Sequence, residues 1–145
     1  MKTKGLIAGI VILTGALVAG RAGAAELKVL SDEAMKPALE ELVKGYEASS
    51  KEQVQVDYAS AADIEKKVDD YDVVIADKAT VTKLGKVGKV AGGATKPVAK
   101  KDDKSIYDGT PTNWTDQVAA GEALITFLKT PKAAEVYKAK GLQPG

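Results

Sequence analysis

The segment Tyr71–Ala76, YDVVIA, constrains the fold more than any other stretch, because Val73, Val74, Ile75 and Ala76 follow one another between Asp72 and Asp77. An apolar run without alternation predicts a strand buried on both faces. Upstream, Glu26–Leu30 (ELKVL) and Val54–Tyr58 (VQVDY) alternate polar and apolar residues, predicting two more strands. Between these two, Met35, Leu39, Leu42 and Tyr46 recur at i, i+4, i+7 and i+11, with Ala38 and Val43 widening the stripe. That period predicts an amphipathic helix with Glu40, Glu41 and Lys44 on its wet face. Pro37 belongs in the first turn of this helix, where no backbone hydrogen bond is lost, so Asp32 and Glu33 stand at its positive end. Ser60-Ala61-Ala62-Asp63 has capping-box spacing, and Ile64 and Val68 lie on one face of the short helix it would start. Three strands separated by two helices require right-handed crossovers, so the expected fold class is α/β, with a mostly parallel sheet flanked by helices.

The rest of the chain has weaker patterning. Thr80–Leu84 predicts another short helix, and Val87, Val90 and Val98 support at most one or two short strands in a glycine- and lysine-rich stretch. YDGTPTNWTDQ reads as a turn-rich connection holding Trp114 as a packing anchor. Gln117–Leu128 predicts a helix, and Thr130-Pro131 reads as an N-cap followed by proline at the first helical position. Gly141 in the left-handed C′ position would stop that last helix and fold Leu142 back onto Tyr137.

Residues 1–25 have a basic start at Lys2 and Lys4, an apolar stretch from Leu6 to Ala19, and small residues at Ala22, Ala24 and Ala25. This is the pattern of a cleaved secretory signal peptide, and the apolar stretch is shorter than the about 20 residues a spanning helix needs. The expectation is one exported domain over residues 26–145, periplasmic or otherwise extracytoplasmic, with no membrane span after cleavage. Removing Lys2, Lys4 and Arg21 leaves 18 of the 21 basic residues against 20 acidic ones, so the net charge moves from +1 to −2. Such a chain lacks the basic excess of a nucleic-acid binder.

With no cysteine and no histidine, disulfides, lipid attachment at an N-terminal cysteine, Ser-His and Cys-His catalysis and the common zinc sites are excluded. GKVGKVAGG lacks the G-x-x-x-x-G-K-[ST] spacing of a phosphate loop, and Asp69-Asp70-Asp72 and Asp102-Asp103 lack calcium-loop spacing. No enzyme activity, cofactor or metal is therefore expected.

The final segment resembles the end of molybdate-type extracytoplasmic solute-binding proteins through Phe127, Leu128, Thr130, Pro131, Ala133, Gly141, Leu142 and Pro144. The likeness extends over the strand–helix–strand–helix order from Lys28 to Val68, over YDVVIADKATVTKL, and over ATKPVAKK as a strand leading out of the first lobe. It implies one lobe of a periplasmic-binding-protein fold. It also implies association with an ABC permease and an oxyanion such as molybdate or tungstate, held by serine hydroxyls and by backbone N–H groups at helix N-termini.

The family's first ligand serine falls at Ala34, which has no hydroxyl; Ser31 lies three residues earlier, and Asp32 and Glu33 put negative charge beside it. The second falls within a residue of Ser60, itself an N-cap, followed by Ala61. The candidate ligand residues are thus Ser31, Ala34, Ser60 and Ala61. The family's second lobe is inserted between the outgoing and returning strands, where only the sixteen residues Lys101–Asp116 stand here, too few for an α/β lobe. The usual two-jawed cleft is therefore expected to be missing. The alternative reading is a binding or assembly module without transport, using the same lobe for protein–protein or homodimer contacts.

Overall fold

The computed structural model describes residues 26–145, so the leader expected over 1–25 lies outside the described residues. Strand β1 (Leu27–Asp32) passes through a 3-10 turn (Glu33–Met35) into α1 (Lys36–Ser50), then β2 (Val54–Ala59), α2 (Ala61–Lys67), β3 (Val73–Asp77) and α3 (Lys78–Lys86). The second half adds β4 (Lys96–Lys100), β5 (Ile106–Pro111), α4 (Val118–Phe127), α5 (Pro131–Ala139) and the two-residue β6 (Gln143–Pro144). These strands form one sheet in the order β2-β1-β3-β5-β4-β6.

The α/β class and the single-lobe architecture read from the sequence hold. Parallel pairing joins β1 to β2 and to β3, as helical crossovers demand. Beyond β3 the sheet turns antiparallel, through β3–β5, β5–β4 and β4–β6. The cause is the connection: β4 reaches β5 through a turn over residues 101–105, closed by Lys101 N–H to Ser105 C=O at 2.9 Å, which is too short for a crossover. No second lobe is inserted at this point.

Two apolar layers cover the sheet. On one face Leu27, Val29, Val73, Ile75, Val98 and Tyr107 pack against α1, α4 and α5 through Leu39, Leu42, Leu124, Leu128 and Tyr137. Tyr46 of α1 meets Phe127 of α4 in a tilted ring pair with centroids 5.3 Å apart, which joins the two halves of that layer. On the other face Leu30, Val74 and Ala76 pack under α2 and α3 through Ile64, Val81 and Leu84. No apolar residue of β4 or β5 belongs to this second cluster; on this side β5 contributes the buried polar residues Asp108 and Thr110, paired with Ala76 and Val74.

One stretch departs from the sequence reading. Ile106–Pro111, read from Tyr107 onward as a turn-rich connection, is a central strand with Tyr107 through Pro111 buried. Its turn-forming residues fit for packing reasons: Gly109 lies under α4, where an added Cβ would meet Ile125 Cγ1 at 3.3 Å, and Pro111 ends the strand. Trp114 is not a core anchor, because it keeps 43% of its surface exposed and donates its indole N–H to the Tyr71 carbonyl at 3.0 Å. The C-terminal motif forms as read. Gly141 has φ +84°, Leu142 N–H donates to Tyr137 C=O at 2.7 Å, and Gly141 N–H donates to Lys138 C=O at 3.3 Å, the paired bonds of a Schellman end.

Candidate functional site

The parallel strands deliver three helical starts to one edge of the sheet, at Asp32, Ser60 and Asp77. Ligands of open α/β sheets bind outside the carboxyl ends of such strands. β5 runs the opposite way and adds its beginning to the same edge, with Tyr107 paired to Asp77 and Asp108 to Ala76.

Each start is capped by its own side chain. Asp32 Oδ1 accepts from Ala34 N–H at 2.9 Å. Asp77 accepts from Thr80 twice, from the N–H at 3.1 Å and from the hydroxyl at 2.6 Å. Ser60 Oγ accepts from Asp63 N–H over a longer 3.4 Å. A carboxylate near a helix N-terminus is favourable to the fold through the helix dipole, and it fills the place an external anion would take. Only the Ser60 start carries a neutral cap. Among the described residues the N–H groups of Ala61 and Ala62 have no protein partner, as first-turn amides commonly have none.

The four expected ligand residues do not converge. Ser31 is fully buried on the Val29–Ile75 side of β1, and its hydroxyl donates to the Asp32 carbonyl at 3.0 Å. Ala34 is exposed in the 3-10 turn with its N–H given to Asp32. Ser60 and Ala61 stand together at the head of α2. Around them the edge is polar and mainly acidic. Burial, followed by the charges of Asp32, Asp77 and Asp102, pushes the Tyr107 phenol up. Lys36 Nζ lies 5.7 Å from the Tyr58 ring centroid at the β2 end of the edge, a cation–π distance. Among the described residues no group of three or more acidic side chains is arranged to hold a metal ion.

Sequence reasoning missed Asp108, because the turn-like reading of its segment hid it. Asp108 keeps 6% of its surface exposed, and among the described residues its carboxylate has no hydrogen-bond or ion-pair partner. Burial, then the neighbouring Asp77, pushes its carboxyl up against the opposing pull of Lys78. It lines an open groove of about 690 Å3 beside α3.

A family model described as bacterial extracellular solute-binding protein matches residues 27–103. No curated protein matches the chain. Among solved structures, the periplasmic molybdate-binding protein of Azotobacter vinelandii superposes with a TM-score of 0.74 at 12% identity, over 83% of this chain and 100% of that one. A substrate-binding domain assigned to a molybdenum ABC transporter in Clostridium difficile gives 0.74 at 9% identity, over 83% and 99% of the two chains. Peb3 of Campylobacter jejuni gives 0.63 at 9% identity, over 83% and 100%. At these identities the likeness establishes the fold.

Proposed function

The chain belongs to the bacterial extracellular solute-binding proteins, and on that footing we propose that it acts outside the cytoplasm as a single-lobe solute receptor for ABC-type import. Its ligand side is the carboxyl edge of β1, β2 and β3. The observation that carries this reading is the gathering of three helical starts on that edge, one of them capped by the neutral Ser60, with Asp63 in its first turn. The names of the Azotobacter and Clostridium neighbours make molybdate and tungstate the first anions to test. In this reading the Ser60 hydroxyl and the Ala61 and Ala62 amides face the anion, while Ser31 and Ala34 shape the strand end and contribute no hydroxyl. The expected leader over 1–25 would deliver the protein to the periplasm. Among the described residues no helix is long and apolar enough to cross a membrane.

A second reading is favoured by Asp32 and Asp77, whose carboxylates occupy two of the three helix starts. Placing an anion beside them costs energy through like-charge repulsion. The lobe would then be an assembly module docking a partner protein or a second copy. Thermal unfolding with molybdate, tungstate, sulfate and phosphate separates the two. A true ligand at 100 times its dissociation constant adds about 2.7 kcal/mol, Ser60→Ala should reduce the gain, and Asp32→Ser should increase it. No stabilisation by any of the four removes the oxyanion reading. A strictly monomeric protein in sedimentation, with no partner captured, removes the second.

A further inference from the structure

From the groove beside α3 we infer a second small-molecule site, built to take a zwitterion whose ammonium group meets Asp108 and whose acidic group meets Lys78 and Lys100. This site lies at the β5 end of the same edge, three strands away from the β2 end that carries Ser60, and does not depend on the oxyanion reading.

Four observations carry it. The groove has a volume of about 690 Å3, within the range of small-molecule pockets. It lies between α3 and the same face of β5 and β4, and all three elements contribute lining residues. Pro97, Lys100, Ile106 and Asp108 form its floor and far side, and Lys78 and Val81 of α3 form the near wall. Strand register places these floor residues together, since Asp108 pairs with Pro97 and Ile106 with Lys100.

The largely buried Asp108 is the central element. Its carboxylate oxygens reach solvent, since among the described residues no buried side-chain oxygen or nitrogen lacks a hydrogen-bond partner, so a ligand can meet the charge without displacing a protein partner. Here the carboxylate opens onto the groove, and Lys78 is near enough to oppose its protonation without forming an ion pair. Lys100 reaches only the exposed Asp103, at 3.8 Å. A plain cation entering the groove would meet the ammonium groups of Lys78, Lys86 and Lys100, and a plain anion would meet Asp108. A molecule with both charges satisfies each end at once, while Val81, Pro97 and Ile106 accept the short carbon link between them.

The test is an NMR titration of the amide-labelled protein with O-phosphoethanolamine and with β-alanine. At least one should shift the amide resonances of Ala76, Asp108 and Gly109 saturably. Asp108→Asn, which keeps the shape, and Lys100→Gln on the rim should each weaken that binding about tenfold or more, as expected for deleting one member of a charge pair. Unchanged resonances across α1 verify that both variants are folded. Three results overturn the inference: saturation by neither probe, equal binding by inorganic phosphate or by ethanolamine alone, or unchanged affinity in a folded Asp108→Asn. Molybdate binding at Ser60 would survive any of them.

Discussion

The Tyr137 hydroxyl, on a fully buried ring, donates a 2.8 Å hydrogen bond to the main-chain carbonyl of Leu128. This bond ties the middle of α5 to the end of α4, where the carbonyl has left the helical ladder. Removing the hydroxyl leaves that carbonyl without this donor in an apolar layer. Tyr137→Phe should therefore destabilise the protein by about 1–3 kcal/mol, read as a lower urea midpoint at unchanged slope. A midpoint equal to that of the unmodified protein would show that the bond adds nothing.

Gly121 lies where α4 crosses β3, and an added Cβ would come 2.8 Å from Val73 Cγ2. Val73 is buried and β-branched, so its methyl has little freedom to turn away. Gly121→Ala should cost about 1–3 kcal/mol through overpacking, despite the roughly 1 kcal/mol that alanine gains over glycine within a helix. Combined with Val73→Ala, the loss should be smaller than the sum of the single losses, which a double-mutant cycle measures.

Gly141→Ala tests the helix end. At φ +84° there is open space around the position, so any loss reports backbone strain alone. A loss of about 1–2 kcal/mol is expected, with Leu142 detaching from Tyr137 as a separate readout by hydrogen exchange of the Leu142 amide.

Raised phenols set the alkaline limit, Tyr107 and Tyr137 among them through burial. Tyr46 is pushed up to about 12 by burial and then by Glu52, and Tyr58 to about 12 by burial and then by Glu40. Tyr71 is pushed up to about 12 chiefly by donating to Asp57. Their unfolded values lie near 10. A raised folded value means that the folded state holds the proton more tightly, so this stability is complete below about pH 10 and is lost as pH rises towards about 12. Urea midpoints measured across that window should fall, and Tyr46→Phe should make the fall shallower. A flat profile would contradict the assignment.

Asp108 gives the same kind of signal at lower pH. Its carboxyl is pushed up by burial, so ionisation at neutral pH works against the folded state. Asp108→Asn should raise stability at pH 7, and the gain should shrink as acid protonates the carboxyl of the parent protein. A loss at pH 7 would point instead to a hydrogen bond that the carboxylate makes and the amide cannot.

What could be read from residues alone was what local chemistry decides. Leu39 and Leu42 define a helix by spacing, Val73–Ala76 a buried strand by composition, and Ser60, Thr130 and Gly141 mark helix ends through their own hydrogen-bonding or backbone preferences. β5 was illegible because Asp108, Gly109 and Pro111 are turn formers by themselves, and their strand is set by β3, β4 and α4 around them. The candidate edge was half legible. Ser60 emerged as a cap, whereas the burial of Ser31 depends on which way β1 faces once β2 and β3 are paired. The Asp108 groove depends on how α3 lies beside β5 and β4, a property no segment carries alone.

The five-residue turn between β4 and β5 also makes this lobe a socket. The chain leaves the sheet at Lys100 and re-enters at Ile106, its direct neighbour in register, so exit and entry points are about 5 Å apart. The turn residues Lys101 to Lys104 are exposed, and insertions are best tolerated at such exposed tips. A folded guest domain with neighbouring termini, a fluorescent reporter for instance, could be spliced there without moving a core side chain. The receptor would then carry its own gauge, wired to the strand that holds Asp108.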